Sequence, residues 1–68
     1  MAYERFLSLN SMDKIMRKAG AQRVSDEAKE ALANVLQKKG IEIAVEAKRM
    51  AEHAGRKTIT KKDIDVIQ

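Results

Sequence analysis

The run SDEAKEALANVLQKKGIEIAVEAKRMAEHAG, Ser25 to Gly55, contains no proline and reads as one long helix. Ser25 supplies an N-cap, and Asp26 and Glu27 sit where the positive end of the helix dipole favours acids. Apolar residues recur at helical spacing as Ala28, Ala31, Leu32, Val35, Leu36, Ile43, Ala47, Met50 and Ala54, and Gly55 closes the run. At ~1.5 Å per residue this is a rod of about 43 Å. Its flanking helices are each well under half that length, so they cannot cover the stripe from within one chain. The stripe must meet another chain. Gly40 lies at the middle of the rod, where glycine costs roughly 1 kcal/mol relative to alanine. Close approach of two rods crossing at their centres accounts for it.

Working outward, Met12, Ile15, Met16 and Ala19 recur at i, i+3, i+4 and i+7, which predicts a first helix ending at Gly20. Ser8 and Asn10 compete as its N-cap. Ser8 is favoured because Leu7 and Met12 stand at the spacing of a hydrophobic staple. Lys14, Arg17 and Lys18 occupy the opposite face. Residues 1–7 form an arm whose Tyr3, Phe6 and Leu7 are expected to pack on the body, and residues 8–68 form one all-α domain. A third helix begins at Thr60, whose amide the Asp63 carboxylate can reach, with Ile59 and Ile64 placed as a staple. With 68 residues, the chain buries only ~60% of its unfolded surface. It has no cysteine and a single histidine, which removes disulfides and a structural zinc and leaves association with a second chain as the remaining source of stability.

The charge is unevenly spread. Of fourteen Lys and Arg, four lie between Lys14 and Val24 and four between Gly55 and Lys62, and neither stretch contains an acid. All ten acids fall in the remainder, against the other six basic residues. A merely solvated surface interleaves the two signs, so these stretches read as surfaces for phosphate. A membrane surface is excluded because the one basic helix is about three turns long and needs its apolar face for the core. Single-stranded nucleic acid calls for exposed aromatic platforms, and Tyr3 and Phe6 are a poor supply. Duplex DNA bound through its backbone needs cations, amides and helix N-termini, which are present.

Catalysis finds no support: there is no Ser-His-Asp or Cys-His grouping, no G-x-x-x-x-G-K phosphate loop, and His53 has no second His or Cys for a metal. His53 reads as a partly buried interface residue near Met50 and Ala54. No cofactor, metal or small-molecule substrate is expected. The opening residues carry no long apolar run, so neither a secretory signal nor a membrane span is expected, and the chain is placed in the cytoplasm with the chromosome.

Both basic stretches share one construction, Ala19-Gly20-Ala21-Gln22-Arg23-Val24-Ser25-Asp26 and Ala54-Gly55-Arg56-Lys57-Thr58-Ile59. In these two motifs and their separation the chain resembles the archaeal histones, over roughly Ser8 to Ile67. The resemblance implies the histone fold, with two chains interlocked in a handshake homodimer that crosses near Gly40. It implies dimer contacts at Val24, Leu32, Leu36, Gly40, Ile43, Ala47 and Ile59. The first loop of one protomer would lie beside the second loop of its partner in a short parallel β-bridge.

On that pattern Arg23, Lys57 and Thr58 hold phosphates of double-stranded DNA, with Lys14, Arg17 and Lys18 on the same DNA-binding side. Arg56 turns inward to pair with Asp63. Lys14 departs from the family, which places an arginine there to enter the minor groove, so it is expected to act more as a phosphate clamp. Met50, His53 and Asp63 correspond to the contacts that join dimers into tetramers or higher assemblies. The third helix is shorter than the family's, so a C-terminal truncation is expected. The function implied is bending, wrapping or bridging, and compaction, of DNA with little sequence preference. The alternative in another class is a histone-fold interaction module, one half of a heterodimer in a transcription complex.

Overall fold

A computed structural model describes residues 5–67 of the chain, and Tyr3 lies outside them. The element order is α1 (Leu9–Lys18), α2 (Asp26–His53) and α3 (Lys61–Ile67), with no strand among the described residues. Residues up to Lys38 form one compact unit and those from Lys39 onward another, with α2 running through both.

Local signals set the helix ends. Ser8 is the N-cap of α1, in extended conformation, and its hydroxyl accepts from the Ser11 amide at 3.0 Å. Ser25 does the same for α2, accepting from the Ala28 amide at 3.1 Å. The C-terminal ends of α1 and α2 are built identically. Gly20 and Gly55 take the left-handed conformation, φ 104° and 72°. The Gly20 amide donates to the Arg17 carbonyl and the Ala21 amide to the Met16 carbonyl; likewise Gly55 donates to Glu52 and Arg56 to Ala51. Each pair is a Schellman motif, which satisfies carbonyls that the helix end would otherwise leave open.

In the first unit the buried residues are Met12 on α1 with Ala33 and Gln37 on α2; in the second they are Ala47, Ala51 and Asp63. This corrects the expected stripe. Ala33 and Ala51 are buried although the stripe omitted them, whereas Val35 and Leu36 stay exposed, Val35 at 64%. Val45, likewise outside the stripe, is 62% exposed. Small side chains line the intrachain contacts, and no large side chain among the described residues is fully buried. The big apolar groups are therefore left for something outside the chain.

The arm also differs from expectation. Phe6 is 71% exposed, so its ring does not pack on the body. Instead the Gln37 carbonyl accepts from the Phe6 amide at 2.6 Å and the Leu7 amide at 3.4 Å. Two amides with no partner in their own segment have found a buried acceptor, and that holds the backbone of the arm and not its ring.

Candidate nucleic-acid interface

The first loop runs from Ala19 to Ser25. Arg23 in the loop and Lys14 and Lys18 on α1 are exposed, and among the described residues none of them is ion-paired. Arg17 is different. Its Nε donates to Asp13 Oδ2 at 2.8 Å, one helical turn back, and its Nη1 donates to the Gln22 carbonyl at 3.1 Å. Asp13 Oδ1 faces Lys29 Nζ on α2 at 3.6 Å, and Lys29 also lies 3.6 Å from Asp26. The hydrogen bond from Arg17 holds the Asp13 carboxyl below its ordinary range, with burial opposing and the charges of Arg17 and Lys29 assisting.

The second loop runs from Ala54 to Thr60 and exposes Lys57 and Thr58, with Lys57 unpaired among the described residues. Arg56 turns back onto α3, its Nη1 donating to Asp63 Oδ2 at 3.1 Å and its Nη2 to Asp63 Oδ1 at 3.0 Å. The Thr60 amide and hydroxyl donate to the same Oδ2 at 2.8 and 3.1 Å. Arg56 first, and then the Thr60 amide, hold the Asp63 carboxyl far below the usual carboxylate range although burial pushes the other way, and Arg56 itself is pushed up. Beside this loop lies a groove of about 490 Å³ lined by Lys48, Ala51, Glu52, Arg56, Lys57 and Ile59.

Of the residues expected at a dimer contact, Leu36, Gly40 and Ile59 are exposed and Val24, Leu32 and Ile43 are half-buried. Ala47 is fully buried inside the chain, so it has no surface to offer a partner and leaves that set. The same holds for Asp63 as a contact between dimers: it is 4% exposed and its carboxylate is taken up by Arg56 and Thr60. His53 ends α2 fully in the open, not half-covered, with Arg49 and Glu52 around it, and Met50 is half-buried.

Asp13 and Gln37 escaped the sequence reading. Asp13 had a legible signal, an acid four residues before Arg17 in the favourable helical orientation. Among the described residues no cluster of three or more His, Cys, Asp or Glu is placed to hold a metal, and no helix is long and apolar enough to cross a membrane.

Residues 5–66 match the family described as histone-like transcription factor (CBF/NF-Y) and archaeal histone. The chain is similar to the archaeal histone HAN1 of Thermococcus zilligii, 45% identical over 58 residues that make up 85% of this chain and 87% of that protein. It is also similar to probable archaeal histone 3 of Methanocaldococcus jannaschii, 43% identical over 51 residues, 75% of this chain and 76% of that one. Three helices with these caps, two loops of matching construction and a match spanning nearly the whole chain all agree: the chain belongs to the family of archaeal histones and histone-like transcription factors.

Proposed function

We propose that this chain is an architectural DNA-binding protein that works as a homodimer, two copies interlocking through α2 so that their loops pair and bind phosphates along a bent duplex. Its family supports the coarser reading on its own, a non-enzymatic histone-fold protein that binds DNA. The finer reading rests on one observation, a division of labour among the basic residues. Arg56 and Lys29 are offset by carboxylates of the same chain, whereas Arg23 and Lys57 stand exposed and unpaired in the loops. Phosphate is the partner that such unpaired cations fit.

Exposed Val35 and Leu36 supply apolar surface for the second copy, and the groove beside Ile59 suits the partner's first loop. Lys14 and Lys18 add phosphate contacts from α1, Lys14 as a clamp and not a groove probe. The Thr58 hydroxyl and nearby amides serve the same phosphates. Sequence preference then follows from how readily a duplex bends, not from base contacts. Bending, wrapping or bridging of the chromosome by dimers, and by assemblies joined near Met50 and His53, is the consequence. Sedimentation with and without a random-sequence duplex tests it. A dimer that binds random and defined duplexes alike is expected; a monomer, or a strict preference for one sequence, would overturn the reading.

A further inference from the structure

We propose that Arg17 braces the first loop, with Asp13 as its positioning residue, and is not itself a phosphate contact. The inference deepens the DNA-binding reading and rests on it, because the loop so held is the one that presents Arg23. Three contacts carry it. Asp13 Oδ2 takes Arg17 Nε at 2.8 Å, the freed end of the guanidinium reaches the Gln22 carbonyl at 3.1 Å, and Asp13 Oδ1 faces Lys29 at 3.6 Å. One carboxylate thereby ties α1, the loop and the start of α2 together.

The second loop is held by the same chemistry from a different position in the chain. Arg56 takes the Asp63 carboxylate at two points and also donates to the Thr58 carbonyl at 2.9 Å. In each loop an arginine joins a helix carboxylate to a loop carbonyl, and that carbonyl belongs to the residue beside the exposed cation: Gln22 beside Arg23, Thr58 beside Lys57. Arg17 lies three residues before Gly20 and Arg56 one residue after Gly55, so the two braces are reached separately along the chain. The lowered Asp13 carboxyl is the electrostatic counterpart of this geometry. A planar fork is needed to hold two acceptors at once, which an ammonium cannot do in the same way.

The test uses Arg17→Lys, Arg17→Ala, Asp13→Asn and Arg23→Ala in the full chain, with duplex affinity followed against salt and with NMR of the free protein. If Arg17 is a brace, Arg17→Lys and Asp13→Asn each weaken binding roughly threefold to tenfold, the scale of one lost positioning hydrogen bond, with the salt slope unchanged. The double substitution is then no worse than either alone. If Arg17 is a phosphate contact, Arg17→Lys binds like the parent, Asp13→Asn binds more tightly because the guanidinium is released, and Arg17→Ala reduces the slope by about 2 per dimer; that result overturns the brace.

NMR separates this from the DNA reading itself. In the free protein the Arg17 Nε–H signal is expected to be protected, and Asp13→Asn is expected to abolish that protection and speed exchange at the Gln22 and Arg23 amides. Unchanged signals would overturn the brace whether or not DNA binds. Loss of DNA binding in the parent, or no effect of Arg23→Ala, would count against the function and not against the brace. Arg17→Lys keeps the charge, so a folding defect in Asp13→Asn leaves a second variant to decide the matter.

Discussion

Arg56 and Asp63 meet at two points, 3.1 and 3.0 Å, across the turn that leads into α3, and the same carboxylate receives the Thr60 amide that opens the helix. Loop geometry and helix start thus share one charged group. Because the folded state holds this carboxyl far below its unfolded value of about 3.9, its contribution to stability is fully present above that value and is lost as pH falls through the folded value. Asp13 acts in the same direction.

A pH series of melts at fixed protein concentration should therefore show stability declining below about pH 4. Asp63→Asn should lower the melting temperature at neutral pH and flatten this acid limb, because the variant has no proton to take up there. An acid limb as steep as the parent's would show that other carboxylates carry it.

The melt itself should depend on concentration. Among the described residues no large side chain is fully buried within one chain, and Val35, Val45 and Leu36 lie open. If folding requires the second copy, a tenfold rise in chain concentration raises the Tm by roughly 3 to 6 °C. A melt independent of concentration, with a monomer mass, contradicts the interlocked dimer.

Binding to duplex DNA should be dominated by the backbone. If a dimer neutralises roughly 6 to 8 phosphates, log affinity falls with log salt at a slope of about −5 to −7. Arg23→Ala or Lys57→Ala should weaken binding on every sequence and reduce that slope by about 2 per dimer, as each dimer loses two contacts. Altered preference at one base pair, with the slope intact, would instead indicate base readout.

Gly40 offers a test of where two α2 helices cross. Within its own chain nothing lies within 4 Å of a Cβ built there, so substitution meets no intrachain obstacle and gains helix propensity of ~1 kcal/mol. At a crossing the balance reverses, and Gly40→Leu should destabilise the dimer by about 1 to 3 kcal/mol through overpacking. Equilibrium denaturation that finds a more stable dimer moves the crossing elsewhere.

The helix ends were legible in the sequence because capping is local: Ser8, Ser25 and Thr60 each answer a donor or acceptor within three or four residues, and Gly20 and Gly55 each supply one left-handed residue. The choice of buried face was not. Apolar periodicity marks the large side chains, and in α2 the buried intrachain positions are instead small or polar, Ala33, Gln37 and Ala51. Gln37 in particular carries no apolar signal, and its role depends on an arm 30 residues away. Arg17 was misread for a different reason. Counting it with the loop cations ignored Asp13, which competes for it from within α1.

The paired Schellman ends have a consequence for how such a protein can vary. They shape both loops through backbone amides, carbonyls and one glycine each, with Arg17 and Arg56 adding support from the side. Arg23 and Lys57 bear none of that structural duty. Replacing either by a neutral or acidic residue leaves the route of the chain intact while changing its grip, so affinity can be adjusted at those two positions almost independently of stability. Copies with different settings of this dial remain able to interlock with one another through the same α2, and a mixed population then grades its hold on the chromosome by composition alone.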